Sequence, residues 1–342
     1  MKIAVVIPIK NEIDGLEELV QSLLSQTLQP DEVIFVDAGS TDGSVELLQS
    51  RYRDNPVVRL IQSAEALPGR GRNVGVMSTD ADIIAQIDGG NLPDAKWLEL
   101  LCAPIIRGEA EYSIGGLRFM PIPKKILGIE IDLAQVYGAS MFPTIMEKKY
   151  IGGGACVAYK RDVWQMVGGF PEELRVAEDM LFVTKALRLN AKTTFVRNAW
   201  IYWQIGPTLA DIVKRQIEYQ KAKFRESESV FRYKATIILP AVLAITTVIS
   251  SAYPPLLYIV PVVVLAYWFR KTFKSMRIFL RRSPAAPSVV KRIIIFGAVL
   301  AVEFLHMTSR LIGTVRGLTR LEDRKIFLRV RDSYLFGANG RK

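Results

Sequence analysis

Four short apolar runs, residues 3–8 (IAVVIP), 32–37 (EVIFVD), 57–62 (VVRLIQ) and 83–88 (IIAQID), alternate with helical patterns through the first part of the chain. The runs are brief and rich in β-branched residues, as strands buried on both faces are. Between the first two, Leu16, Leu19, Val20, Leu23 and Leu24 recur at spacings of three and four, which predicts a helix over 12–25. Ser40 and Thr41 are candidate caps for a helix over 42–51. Pro93 suits the first turn of a helix running to about Arg107. This alternation predicts an α/β fold, a mostly parallel sheet flanked by helices.

Polar residues close these runs. Asn11 and Glu12 follow the first, Asp37 ends the second and Asp88 the fourth. Ligands of open α/β sheets bind outside the carboxyl ends of the strands, so three strands deliver polar groups to one edge. The chain has no GxGxxG after its first run and no GxxxxGK[ST], which removes the main signals of a dinucleotide dehydrogenase and a P-loop enzyme. The glycine-rich stretch 69–75 (GRGRNVG) reads as a solvated loop before a helix, or as a place where Arg70 and Arg72 meet a diphosphate. The only histidine is His306, so no histidine base or histidine metal site serves the first part of the chain. Cys102 and Cys156 have no metal-site spacing.

Taken in order, VVIPIKNE, VIFVDAGSTDGS, GRGRNVGV, AQIDGGNLPDAKWLELL and GGGACVAYKRDVWQMVGGFPEELRVAEDMLFVTKALRLNA resemble the family 2 glycosyltransferases of GT-A fold, over about residues 1–220. The resemblance implies a donor site for a nucleotide-diphosphate sugar built from Pro8, Asn11, Glu12, Asp37, Gly39, Arg70, Arg72, Asn73, Asp88 and Gly89, with Lys214 and Arg215 as further candidates. It implies that Asp179, beside Glu178 in AEDM, is the catalytic base, and that Gly152, Gly153 and Gly154 lie on the acceptor side. A plain structural reading is also open, since carboxylates suit the first turn of a helix over 178–189. Two departures stand out. Ala38 replaces the second acidic residue of the usual DDGSTD, and Gly90 replaces the second aspartate of the family's DxD metal motif. A Mg²⁺ or Mn²⁺ ion would rest on Asp88, the donor diphosphate and water, with Asn91 as a second candidate ligand. Inverting transfer needs a carboxylate beside the acceptor hydroxyl, which is the expectation for Asp179.

The last third changes character. Residues 235–252 and 253–269 carry no charge, and SSAYPP marks a turn between them, so a transmembrane hairpin over 235–269 is expected. From Arg270 to Arg292 there are eight Lys or Arg and no Asp or Glu, which reads as a cytoplasmic loop. A third run, 293–312, contains Glu303, His306 and Arg310 and is open to spanning, re-entrant or interfacial readings; 313–342 is a basic tail. The expected organisation is a cytoplasmic domain over 1–230 followed by membrane helices. That domain comprises a donor half (1–110), an acceptor half (111–207) and an amphipathic interfacial helix (208–230). The amino terminus reads as a first strand, not a signal peptide. The net charge of +11 flanks apolar segments, which favours anionic lipid head groups over specific nucleic acid as the partner. The expected reaction passes a sugar to a lipid-linked acceptor, a polyprenyl phosphate or a lipid-linked glycan. A processive synthase is disfavoured because QxxRW is absent, and a scaffold with a decayed site rests on Gly90 alone.

Overall fold

The computed structural model describes residues 1–63, 67–141, 154–175, 177–204, 213–214, 217, 256–281, 288–318 and 321–337. The chain divides into two compact units. The first holds Met1–Arg118, Tyr150–Gln204 and Arg329–Lys342, and the second Phe119–Lys149 and Ile205–Leu328.

In chain order the described elements are β1 (Ile3–Ile9), α1 (Ile13–Leu24), β2 (Glu32–Asp37), α2 (Ser44–Tyr52), β3 (Val58–Gln62), α3 (Pro68–Met77), β4 (Ile83–Gln86), β5 (Asn91–Pro93), α4 (Trp97–Ile106) and β6 (Tyr112–Phe119). There follow β7 (Pro123–Ile126), β8 (Ile129–Asp132), α5 (Leu133–Met141), β9 (Val157–Lys160), α6 (Arg161–Val167), α7 (Glu178–Arg188) and β10 (Thr193–Trp203). The last three are α8 (Leu256–Leu280), α9 (Val289–Leu318) and α10 (Leu321–Phe336).

The first unit is built on one sheet of order β3-β2-β1-β4-β9-β6-β10-β5. Strands β3, β2, β1 and β4 are parallel, while β9 joins β4 and β6 antiparallel and β5 joins β10 antiparallel. Register sets Ile9 beside Asp37, so the carboxyl ends of β1 and β2 finish level. Burial explains the apolar runs: every residue of β2 and β4 is buried. The core joins Val6, Ile34 and Val36 to Tyr112, Tyr159, Phe170 and Phe182. Phe170 stacks on Phe182 at 4.0 Å between ring centroids, and Tyr112 stacks on Tyr159 at 5.7 Å.

Three local expectations are corrected. Pro93 ends the short strand β5 rather than opening a helix, because β10 offers it an antiparallel partner at Ile201; helix α4 starts at Trp97. Ser40 and Thr41 do not cap α2, whose N-cap is Gly43; Asp42 instead accepts from the Ser44 backbone at 3.1 Å. The stretch 69–75 is not a solvated loop but lies within helix α3, where Gly69, Gly71 and Gly75 are buried. A Cβ at Gly75 would fall 2.3 Å from Val6, so the glycine lets this helix rest directly on β1.

The second unit holds the β7–β8 hairpin and helices α5, α8 and α9, with α5 packed on α8 and α9. The expected membrane architecture is not supported. No described helix is long and apolar enough to cross a membrane, and 235–252 lies outside the described residues. The described part of the expected second span, 256–269, lies in α8, which runs on to Leu280 through Arg270, Lys271, Lys274 and Arg277. No glycine or proline stands between Val262 and Leu280 to stop it, so the expected basic loop is helical over much of its length. The third run lies inside the longer helix α9, and the tail contains α10. Glu303 is fully buried in the second unit, paired with Lys271 and accepting from Ser275 Oγ at 2.6 Å. It is a helix-to-helix tie of the kind a packed helix pair needs. The end of α10 packs within the first unit, where the Tyr334 hydroxyl donates to the Gly169 carbonyl and Lys185 Nζ sits 4.2 Å over the Tyr334 ring.

Candidate active site

The loops after β1 and β2 are joined side by side. Asn11 adopts φ +57°, its backbone N–H donates to Ser40 Oγ at 2.8 Å, and its Oδ1 accepts from the Thr41 backbone at 2.8 Å. One residue on, the Glu12 backbone donates to Ser44 Oγ at 3.1 Å and the Ile13 backbone to Asp42 at 2.9 Å. Asp37 is 2% exposed, and its carboxylate is taken by the backbone N–H groups of Gly39 (3.0 Å) and Ser40 (3.2 Å). The expected donor residue Asp37 thus shapes its own loop. Pro8 and Glu12 are half-buried and Gly39 is exposed.

The centre of the site is Arg72, on α3. Its side chain is 3% exposed and lies between two carboxylates, pairing with Glu178 and donating to Asp88 Oδ1 at 2.8 Å. It thereby links the end of β4 to the start of α7. Burial works against the guanidinium charge, but Asp88, Glu178 and Asp179 outweigh it and push the Arg72 pKa upward, so the group stays charged. Glu178 is nearly as buried. Loss of water raises its carboxyl to about 7, with Asp179 adding repulsion and Arg72 opposing the rise.

Asp179 follows in the first turn of α7. Its Oδ2 accepts from the Gly154 backbone at 2.6 Å and its Oδ1 from the Met180 backbone at 2.7 Å, with the side chain half-buried. Ala177, just before this pair, holds φ +65°, a conformation costly for a residue with a Cβ and often found at working sites. Gly154 is required here. A Cβ would lie 3.0 Å from Arg72 Cζ and 3.0 Å from Asp179 Cβ, between the two groups. Gly154→Ala is expected to cost about 1–3 kcal/mol and to lower activity by displacing Asp179. Chemical denaturation and turnover check it; unchanged values in both would remove the packing constraint.

The raised Glu178 carboxyl has a consequence for stability. The unfolded chain loses this proton near the ordinary value of 4.5, and the folded chain near 7. The contribution of neutral Glu178 is full below about pH 4.5 and declines as pH rises toward 7. In Glu178→Gln that decline should vanish, which melting curves between pH 4.5 and 8 would reveal. Parallel curves for the two proteins would place the titration elsewhere.

Asn73 corrects an expectation. Its Oδ1 accepts from Trp164 Nε1 (3.0 Å) and the Phe170 backbone (2.8 Å), while its Nδ2 donates to the Phe170 carbonyl (2.9 Å) and Glu172 (2.8 Å). The bonding capacity of its side chain is spent, so that side chain clamps residues 170–172 to α3. The partners Trp164, Phe170 and Glu172 were not anticipated; their only signal in the sequence was their place in the family-like stretch. Arg70 lies half-buried on α3. Lys214 is helical and exposed, and belongs to the second unit. Arg215, Gly152 and Gly153 lie outside the described residues.

Among the described residues no three His, Cys, Asp or Glu side chains group as a metal site. Oxygen donors for a cation shared with phosphates are nonetheless present. Asp88 has a 44% exposed side chain with Oδ1 bonded to Arg72, leaving Oδ2 outside that bond. Asn91 is 4% exposed, and its Oδ1 is buried without a hydrogen-bond partner. Its backbone N–H donates to the Asp88 carbonyl at 3.1 Å. A carboxylate and, three residues on, an orphaned amide oxygen are donor types that a hard cation takes.

Residues 4–167 match the family described as Glycosyl transferase family 2. The chain is 32% identical over 114 residues to glycosyltransferase GlyG of Streptococcus pneumoniae serotype 4, covering 33% of this chain and 38% of that protein. It is 25% identical over 215 residues to the O-antigen chain rhamnosyltransferase RfbN of Salmonella typhimurium, covering 58% of this chain and 65% of that one. The chain therefore spans less than two thirds of the length of either relative. Its fold resembles the solved mannosyltransferase of Pyrobaculum calidifontis in complex with GDP-Man and Mn²⁺, with a TM-score of 0.54 and 16% identity over 93% of this chain and 86% of that one.

Proposed function

We propose, from the premise that residues 4–167 are a family 2 glycosyltransferase segment of GT-A fold, that the chain is an inverting glycosyltransferase acting on a lipid-linked acceptor. The observation that carries this reading is the meeting of Asp88, Arg72 and the Glu178–Asp179 pair at one edge of the sheet. A nucleotide-diphosphate sugar would lie at the carboxyl ends of β1, β2 and β4, as ligands of such sheets do. Asp179 would take the proton from the acceptor hydroxyl as its oxygen bonds to the anomeric carbon, and the nucleoside diphosphate leaves from the opposite face. The Gly154 and Met180 N–H groups hold the carboxylate in place for this. Arg72 fixes Asp88 and contributes positive charge near the leaving diphosphate. A divalent cation, Mg²⁺ or Mn²⁺, would neutralise charge on that diphosphate, held by Asp88 with Asn91 as a further oxygen donor. The mannosyltransferase of similar fold was solved in complex with GDP-Man and Mn²⁺, which supports this choice.

A lipid-linked acceptor is supported by the surface of α8, which exposes Phe269 and Phe273 beside the exposed cations Arg270, Lys274 and Arg277. Aromatic and basic residues together suit an anionic membrane surface, and this supports the reading of a reaction at the cytoplasmic face of a membrane. A metal-independent reading has one observation in its favour: Arg72 already meets Asp88 at 2.8 Å.

Calorimetric titration with a panel of nucleotide sugars, with Mn²⁺ or with EDTA, tests the donor and the metal. Binding of one donor, weakened by EDTA, is expected. Binding indifferent to EDTA would favour the metal-independent reading, and no binding of any donor would overturn the assignment.

A further inference from the structure

The family-like motif at residues 88–90 lacks its second carboxylate, because Gly90 stands there. The space beside Gly90 is not open. A Cβ built on Gly90 would lie 3.4 Å from Glu12 Oε2, the one atom within contact distance among the described residues. A Cβ on Gly89 would lie 2.9 Å from Glu12 Cγ and 3.0 Å from Ile9 Cγ2, closer than side-chain carbons tolerate. The Glu12 side chain therefore runs across the two glycines and sets its carboxylate where a side chain at position 90 would begin.

The backbone holds it there. The Glu12 N–H is fixed on Ser44, and Asn11 before it is pinned on both sides to the β2 loop, so the side chain leaves from a set point. We propose that Glu12 is the second carboxylate of the cation site, replacing in space the one that position 90 lacks in sequence. With Asp88 this supplies two carboxylates in a site where donor phosphates would provide further oxygens, and Asn91, three residues after Asp88 and with its Oδ1 lacking a hydrogen-bond partner, is the further candidate donor, a set suited to Mg²⁺ or Mn²⁺. The glycine pair then has a reason: a side chain at 89 would expel Glu12 from this position. The inference rests on the reading of the site as one that takes a nucleoside diphosphate with a divalent cation.

Mn²⁺ binding followed by electron paramagnetic resonance tests it on the full chain, in the presence of UDP, GDP or dTDP and with no sugar transfer required. Glu12→Gln is expected to raise the Mn²⁺ dissociation constant at least about tenfold. The double variant Glu12→Ala, Gly90→Asp should recover most of that loss, because it returns a carboxylate to the motif and removes the side chain that occupies the space. Gly90 does not need the left-handed conformation, so Asp is admissible there. Unchanged Mn²⁺ affinity in Glu12→Gln would overturn the role of Glu12 and leave the cation site to Asp88. Loss without recovery in the double variant would overturn it in favour of a loop-shaping role. Absence of Mn²⁺ binding by the wild-type chain with every nucleotide would overturn the cation reading itself, and the role of Glu12 with it.

Discussion

Asp179→Asn is expected to lower turnover by about 10²–10⁴-fold while leaving donor affinity within a factor of about two. The substitution keeps the size of the side chain and removes its capacity to take a proton. Both oxygens of Asp179 accept backbone N–H groups, from Gly154 and Met180. An amide must therefore turn its NH₂ toward one of two donors, costing about 1–3 kcal/mol of stability. That cost is read separately by thermal unfolding, and turnover measured well below the melting range isolates the chemical loss. A mutant that turns over like wild type would remove Asp179 as the base. A mutant that loses donor binding in proportion to turnover would make it a binding group.

The second large effect concerns Arg72. Replacing it by Met removes a buried cation that faces Asp88, Glu178 and Asp179 together. Breaking a buried pair by deleting one partner commonly costs about 3–5 kcal/mol, because the remaining charge is left without compensation. Glu178 has a route out, since its carboxyl already titrates near 7. At pH 5 it holds its proton and the penalty of Arg72→Met should be smaller, with the lost pairing to Asp88 and Asp179 as what remains. At pH 8 the group must ionise unpaired or hold a proton against solution, and the penalty should be near its full size. Denaturant melts of both proteins at pH 5 and pH 8 measure this difference. A penalty independent of pH would mean that Glu178 does not carry the titration.

The parallel half of the fold was legible because its signal is local. The runs at 32–37 and 83–88 are buried on both faces in β2 and β4, and burial of that kind demands continuous apolar sequence. The family-like motifs assigned Asp88 to the donor side and Asp179, beside Glu178, to the catalytic base, and the structure links Asp88 to Glu178 through Arg72. What stayed hidden depends on contacts distant in sequence. Pro93 could be read as a strand end only by knowing that β10 pairs with it. Asn73 could be read as a clamp only by knowing that residues 170–172 return to α3. The stretch 69–75 looks like a loop by composition, since three glycines weaken a helix, yet the glycines serve packing against β1. The membrane expectation rested on charge-free runs and misjudged where helices end: α8 continues through four basic residues because nothing in the sequence stops it. Glu12 is the subtlest case. The motif lacks a carboxylate at position 90, and the Glu12 side chain that crosses Gly89 and Gly90 is visible only in the fold.

The most direct measurement of the central claim is release of nucleoside diphosphate from a panel of nucleotide sugars by the full chain on anionic lipid vesicles carrying a lipid extract, with Asp179→Asn alongside. The account predicts steady release from one donor by the wild-type chain, lost by about 10²-fold or more in the variant. Equal release by both proteins would contradict the mechanism, and no release from any donor by the wild-type chain would contradict the function.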